Sequence, residues 1–231
     1  MRPTLHIADD QAGVAGPLLK AAILDTILAT GRCRLALCGG NTPGTTLAWL
    51  GIHLPPTLYP RLWITWVDER HTPAQADRND ALAHRLWLHA RPDRTRHLSM
   101  GTGSEPLATA VSTYIDDFNE KFGGLDVVLL GAGADGHIAS LFPGAAALES
   151  TAVAVGITDS PKPPPERISL TLPVLAATRC VVLLARGADK ADMLAQAQAG
   201  ALPLGRLAPA GAYHWILDSA AAARLSPGAA P

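Results

Sequence analysis

The fold is decided by one stretch near the middle of the chain, Leu125-Asp126-Val127-Val128-Leu129-Leu130-Gly131-Ala132-Gly133-Ala134-Asp135-Gly136-His137. Its first half is an almost wholly apolar run from Asp126 to Leu130, which is typical of a strand covered on both faces. A glycine loop follows directly. In open α/β sheets, ligands bind where such strands end. The stretch therefore predicts a buried parallel strand with a functional loop at its carboxyl end.

Strands and helices alternate on both sides of this stretch. The alternation predicts an α/β fold in which a doubly wound, mainly parallel, Rossmann-like sheet carries helices on both faces. We expect one domain over residues 1–231 and a stiff surface loop at the proline-rich residues 161–165. The predicted strands are 34–38, 62–67, 126–130, 152–157, 168–172, 180–185 and about 214–217; the predicted helices are 15–29, 45–50, 80–88, 105–122 with Ser104 as N-cap, and 188–199.

Composition limits the kind of protein this can be. Hydrophobic residues make up 48% of the 231 residues, so a sizeable core is expected and disorder is not. The formal charge of -1 gives no global basic field for nucleic acid or a membrane surface. Three cysteines favour reduced core thiols over disulfides or zinc. With no signal-peptide pattern and only short apolar runs, the expectation is a soluble, cytoplasmic protein without metal or cofactor, monomeric or weakly dimeric.

The loop after the first predicted strand reads Gly39-Gly40-Asn41-Thr42-Pro43-Gly44. Glycines let the backbone approach an anion, and the N-terminus of the following helix offers unpaired N–H groups. Asn41 and Thr42 add side-chain donors. A phosphate site and an ordinary tight turn are both compatible with this segment taken alone.

Two further predicted strand ends carry charged residues. Asp68-Glu69-Arg70 offers a carboxylate for a water or sugar hydroxyl and a guanidinium for phosphate, although a solvated charged loop fits as well. Lys190 begins a predicted helix, where a lysine opposes the helix dipole unless an anion is bound. A plain surface lysine is the alternative there.

The central loop also matches the dinucleotide pattern G-x-G-x-x-G, but Pro143 interrupts the helix that would carry the pyrophosphate. Its notable feature is His137, which follows Asp135 by two positions. A neutral imidazole at cytoplasmic pH takes a proton from water, and Asp135 fixes its tautomer. The other candidate histidines have no partner in register and are interpreted as structural; they are His6, His53, His84, His89 and His97.

Five segments occur in an order that resembles the soluble 6-phosphogluconolactonase family, of the glucosamine/galactosamine-6-phosphate isomerase-like type. They are Leu37 to Pro43, Trp66 to Arg70 with Pro73 and Asn79, Leu125 to Gly144 with Asp135-Gly136-His137-Ile138-Ala139-Ser140-Leu141-Phe142-Pro143, Pro164 to Pro173, and Gly187 to Lys190. Departures from the family pattern are Asn41 for serine, His71-Thr72 for Cys-Val, and Arg78 for the serine before Asn79.

The resemblance implies hydrolysis of 6-phospho-D-glucono-1,5-lactone, a small phosphorylated sugar lactone, in the oxidative pentose phosphate pathway. It implies that His137 is the general base, with Asp135 and Asp68 as the other catalytic candidates. Whether Asp68 takes part in the chemistry or only supports its loop stays open. The substrate-binding residues implied are Gly39, Gly40, Asn41, Thr42, Arg70, Lys190 and, less directly, Arg167.

Two other functions are alternatives to lactone hydrolysis. Glucosamine-6-phosphate deaminases share the Asp-Gly-His run but continue with a carboxylate that assists the histidine, where this chain has Phe142. A non-catalytic sugar-phosphate sensor needs no aspartate-flanked histidine, and no basic recognition helix precedes the α/β pattern here. Turnover of a phosphorylated lactone separates these three functions.

Overall fold

The computed structural model describes residues 2–90 and 96–226. Its main sheet contains six strands, all parallel, in the order β1-β9-β8-β5-β2-β3, and a separate antiparallel sheet contains β4-β7-β6. The strands are β1 (Thr4–Ile7), β2 (Cys33–Leu37), β3 (Leu62–Trp66), β4 (Asp68–Arg70), β5 (Val127–Gly131), β6 (Ala154–Ile157), β7 (Arg167–Leu170), β8 (Cys180–Ala185) and β9 (Ala212–Leu217).

Helices flank the main sheet. They are α1 (Gln11–Thr30), α2 (Asn41–His53), α3 (Asn79–Leu86), α4 (Leu107–Asp117), α5 (Leu172–Ala176), α6 (Ala191–Gln198) and α7 (Leu202–Arg206). On one face the Thr65 hydroxyl lies 2.9 Å from the Tyr114 hydroxyl of α4. On the other face the neighbouring Trp66 packs near His84 of α3. The doubly wound α/β prediction is confirmed.

Strand β5 lies inside the sheet, as its apolar sequence predicts. Val127 pairs with Leu35 of β2 and with Cys180 of β8. All four residues from Val127 to Leu130 are fully buried. Because β2, β5 and β8 are parallel neighbours, their carboxyl ends meet at one edge of the sheet, and the three loops that follow them meet there as well.

The predicted strands 152–157 and 168–172 are not part of the parallel sheet. Residues of β6 and β7 pair antiparallel with each other, and β7 also pairs with the short strand β4. Residues 68–70, which follow β3 in the chain, therefore form the edge strand of a second sheet. Periodicity alone did not separate the two sheets, since both kinds of strand are apolar and of similar length.

Two further expectations were wrong. Strand β1 was missed because it has only four residues and lies at the sheet edge, paired with β9. Ser104 does not cap α4, which begins at Leu107 after Pro106 and has no side-chain cap. The residue before a proline avoids the helical region, so the helix cannot start earlier.

Helix α1 is long and apolar enough to cross a membrane by composition alone, since Lys20 and Asp25 are its only charged residues. The expectation that the chain has only short apolar runs is therefore wrong for this helix. In the structure Ala15, Leu19 and Ile23 of this helix are fully buried against the sheet. The helix is therefore part of the core.

The three cysteines are buried free thiols, and burial raises the pKa of each. His6, expected to have no partner, lies with its Nε2 3.1 Å from Nδ1 of His214 on the neighbouring strand. That pairing depends on β1, which the sequence analysis did not predict.

Candidate active site

A cleft of about 590 Å³ lies at the carboxyl ends of β2, β5 and β8. It contains nine of the ten residues singled out from the sequence, which are Gly39, Gly40, Asn41, Thr42, Asp68, Arg70, His137, Arg167 and Lys190. The tenth, Asp135, lies beside the cleft and contacts His137. The structure thus brings together residues that are up to 151 positions apart in the chain.

His137 is held by Asp135. Its Nδ1 lies 2.5 Å from Oδ1 of Asp135, and its side chain is only 16% exposed. Burial lowers the pKa of His137 below its ordinary value, and this outweighs the opposite effect of the Asp135 carboxylate. At neutral pH the imidazole is therefore uncharged, with the Nδ1 proton donated to Asp135 and the Nε2 lone pair available.

The glycines of the loop make this geometry possible. A Cβ on Gly133 would lie 2.0 Å from Nδ1 of His137, so only glycine leaves room for the ring. Gly136 has φ +80°, a left-handed conformation that favours glycine. The N–H of Gly133 donates to the carbonyl of His137 at 2.9 Å and closes the loop. No helix follows the loop at once, which argues against the dinucleotide interpretation.

Asp68 is fixed by two neighbours. Its Oδ2 accepts a hydrogen bond from the Ser140 hydroxyl at 2.6 Å, and Nδ2 of Asn79 donates to its carbonyl at 2.9 Å. Asn79 in turn packs against Gly39, where a Cβ would lie 1.9 Å from its Oδ1. Asp68 therefore joins the loop that follows β5 to Asn79, which in turn packs against the loop that follows β2.

Two arginines lie opposite each other at one side of the cleft. Arg70 of β4 and Arg167 of β7 are cross-strand partners. Like charges directly opposite on a sheet repel each other. Burial, and then the charge of Arg70, lower the pKa of Arg167. Nε of Arg70 is buried without a hydrogen-bond partner among the described residues. This pair is suited to an anion.

Arg167 is also bonded within the chain. Its Nε donates to the carbonyl of Pro164 at 2.9 Å, and its Nη2 donates to those of Lys162 and Pro163, both at 3.0 Å. Within the described part of the chain, Arg70 makes one such bond, from Nη1 to the carbonyl of Asp77, and so keeps more of its donors for a ligand than Arg167 does. Lys190 is 17% exposed, with its Nζ 2.5 Å from Oδ2 of Asp189, so it is no ordinary surface lysine.

The glycine-rich loop leads into α2. Gly40 has φ +99° and precedes the helix without a side-chain hydrogen bond to cap it. Asn41 and Thr42 form the first turn and line the cleft. The free N–H groups of this turn, together with the helix dipole, favour an anion at this place.

Residues 8–215 match the family described as glucosamine-6-phosphate isomerases/6-phosphogluconolactonase. The 6-phosphogluconolactonase of Mycobacterium tuberculosis is 34% identical over 94% of this chain and 95% of its own length. That of Rattus norvegicus is 35% identical over 85% of this chain and 82% of its own length.

The chain belongs to this family. Solved structures agree on the fold: a 6-phosphogluconolactonase from Trypanosoma cruzi has a TM-score of 0.87 at 25% identity, covering 98% of each chain. A monomeric glucosamine-6-phosphate deaminase has a TM-score of 0.79 at 18% identity, covering 97% of this chain and 100% of its own. Since both enzymes share the fold, the fold alone does not choose between them.

Several residues that line the cleft were not predicted as site residues from the sequence. They are Asn79, Ser140, Phe142, Lys162 and Arg186. Four were quoted in motifs or lie beside one, but nothing in their spacing indicated a contact with the site. Lys162 had a visible signal, since it is the one charge within a run of prolines.

Proposed function

We propose that this chain hydrolyses 6-phospho-D-glucono-1,5-lactone to 6-phospho-D-gluconate, with His137 as the general base. Relatives from bacteria and mammals over nearly the whole chain length bear the name 6-phosphogluconolactonase and support the activity. The observation that carries the mechanism is the contact of Nδ1 of His137 with Asp135, at a cleft with paired arginines.

The reaction begins with a water near Nε2 of His137. Nε2 takes a proton as the water oxygen forms a bond to the lactone carbonyl carbon, which places negative charge on the carbonyl oxygen. When that intermediate collapses, the bond from this carbon to the ring oxygen breaks, and the imidazolium returns its proton to the leaving oxygen. Asp135 stabilises the imidazolium between these steps. The product acid then ionises.

The phosphate is remote from the bond that breaks. We assign it to Arg70 and Lys190, with the glycine loop Gly39-Gly40 and the first turn of α2 at Asn41 and Thr42. Its binding orients the lactone carbonyl relative to His137, and this positioning lowers the barrier without contact at the reacting atoms. Asp68, hydrogen-bonded to Ser140 and Asn79, supports the loops that carry these groups.

Phe142 favours the lactonase over the deaminase. Its ring centroid lies 4.7 Å from that of His137, at 44° between the planes. An apolar ring therefore lies where the deaminase pattern has a carboxylate. Among the described residues, Asp135 is the one carboxylate hydrogen-bonded to this histidine.

The phosphate assignment is tested by comparing two substrates. R70M and K190M should each lower kcat/KM for the phosphorylated lactone by about tenfold or more, the worth of a charged hydrogen bond. The loss on unphosphorylated gluconolactone should be small, and K121M, at an exposed lysine paired with Asp117, should change neither. Equal losses on both substrates would remove these residues from the phosphate site.

We further propose that residues 1–231 act as one domain, soluble and cytoplasmic, as a monomer or weak homodimer. The match of a single family model to residues 8–215 supports the single domain. Gel filtration of the purified chain tests the oligomeric state.

A further inference from the structure

The loop at residues 161–165 is tied down at its centre. Three of its carbonyls accept hydrogen bonds from the Arg167 guanidinium, as described above. From the other side, the Ser160 hydroxyl donates to the carbonyl of Lys162 at 2.9 Å. The N–H of Ser160 donates to the carbonyl of Pro165 at 3.2 Å, so the ends of the loop are also joined.

This arrangement fixes the backbone of Lys162 at the rim of the cleft, where the residue itself is exposed. Arg167 is only 5% exposed, so its three bonds lie in a buried setting where charge-assisted hydrogen bonds are strong. Prolines on both sides limit the backbone further. Lys162 and Pro163 both line the cleft that contains His137. Arg167 therefore holds the backbone of this loop in one position beside the cleft.

We propose that Lys162 is a catalytic cation that stabilises the negative charge on the lactone carbonyl oxygen, and that Arg167 is the positioning residue that holds it there. The proposal rests on the lactonase function proposed above. It adds a group that the chemistry needs, because attack by water on the carbonyl creates an oxyanion that a cation stabilises.

The electrostatics of His137 agree with this placement. After burial and the Asp135 carboxylate, the charge of Lys162 is the next influence, and it lowers the pKa of His137, while Asp68 raises it. Lys162 and His137 also line the same cleft, so the geometry and this electrostatic effect agree. The other charged groups lining the cleft are Arg70, Arg167, Arg186, Asp189 and Lys190.

The position of Lys162 also separates its role from that of the phosphate site. Lys190 already has a carboxylate partner in Asp189, and Arg70 faces Arg167 across the small sheet. Lys162 has no ion pair among the described residues, and a single unpaired ammonium is suited to a charge that exists only during the reaction.

The test compares K162M and K162R with the wild type on the phosphorylated lactone. K162M should lower kcat by about tenfold or more with little change in KM, since the interaction is made only in the transition state. The same loss should occur on unphosphorylated gluconolactone, and K162R should restore most of the rate. K121M serves as the matched control at a distant lysine.

A second readout does not depend on turnover. In an NMR titration of labelled histidine, with H137Q used to assign the signal, the His137 midpoint should move to higher pH in K162M and stay unchanged in K121M. If the wild type is inactive but this shift occurs, the proposed lactonase function fails while the placement of Lys162 stands. An unchanged midpoint together with unchanged kcat overturns the proposal.

Arg167 is tested by a double-mutant cycle. R167K keeps the charge but loses the rigid planar guanidinium whose Nε and Nη2 reach the three carbonyls, so it should lower kcat, and K162M/R167K should be little worse than K162M alone. Additive losses would show that Arg167 acts independently of Lys162. A rise in KM alone in K162M, absent on gluconolactone, would place Lys162 at the phosphate and overturn its catalytic role.

Discussion

At the scale of single residues, the site depends on the fit between His137 and Gly133. The ring occupies space that any side chain at position 133 would need. This close approach also brings Nδ1 against Asp135, and in the proposed mechanism that contact orients Nε2 for the water. The spacing of the glycines is thus explained by a packing requirement as well as by turn geometry.

G133A should therefore lower kcat by about a hundredfold, because the new methyl group displaces the base from its position. The control is G144A. Gly144 has φ +75° and nothing near its Cβ position, so G144A should cost about 1 kcal/mol of stability and leave the rate nearly unchanged. Steady-state kinetics and urea unfolding of both variants measure this. Normal kcat in G133A would contradict the account.

At the scale of elements, β4 and α3 are joined by Glu69. This buried carboxylate accepts hydrogen bonds from the N–H groups of Arg70, Asn79 and Asp80, at 2.8, 2.7 and 2.8 Å. The N-terminus of α3 is thereby fixed beside the arginine pair. Arg78 stands where the family pattern has serine, and it is 6% exposed. Its Nη2 donates hydrogen bonds to the Asp80 carboxylate and to the carbonyl of Gly101.

Burial, and then the charge of Asp80, raise the pKa of Glu69 from 4.5 to about 7. A carboxyl group with a raised folded-state pKa contributes most to stability below pH 4.5, and this contribution is lost as the pH rises to about 7. The difference in unfolding free energy between wild type and E69Q should therefore fall over this range.

Urea unfolding at several pH values tests this, with E149Q as the control at an exposed carboxylate paired with Arg206. A difference that stays constant or grows from pH 4.5 to 7 would show that Glu69 is ionised throughout.

The elements also show what sequence can and cannot predict. The apolar run of β5 and the charged ends of β3 and β8 were enough to place His137, Arg70 and Lys190 at one edge of a sheet. The second sheet was not predictable, because strand pairing between β4 and β7 joins residues 97 positions or more apart. The cleft position of Lys162 was not predictable for the same reason, and the local bonds of Arg167 to the proline loop depend on a loop conformation that the sequence pattern does not specify.

At the scale of the whole molecule, one ion pair joins β2 to the start of β5. Asp126 is 2% exposed. Its carboxylate accepts hydrogen bonds from Nε and Nη2 of Arg34, at 2.9 and 2.8 Å, and its Oδ2 also accepts one from the backbone N–H of Arg34. Burial opposes ionisation, but the Arg34 hydrogen bonds outweigh it and lower the pKa of Asp126. The pair lies at the amino end of β5, at the opposite end of this strand from the loop that carries His137.

D126N should cost about 2–3 kcal/mol, less than a fully buried pair because the Arg34 side chain is 24% exposed. The stabilisation by Asp126 is present above pH 3.8 and is lost as pH falls through its lower folded-state pKa. The deficit of D126N should therefore shrink below pH 3.8. D117N, at an exposed pair, should cost less than about 0.5 kcal/mol. Thermal unfolding at pH 3 and pH 7 measures both, and a deficit that grows in acid would contradict this assignment.

The central claim is that His137 activates water for lactone hydrolysis. The measurement that tests it most directly follows the loss of freshly generated 6-phosphogluconolactone with purified protein, against the spontaneous rate, with H137A alongside. We predict rapid loss with the wild type and a catalysed rate at least about 10²-fold lower in a folded H137A. A wild-type rate equal to the spontaneous one, or an H137A rate near that of the wild type, would contradict the account.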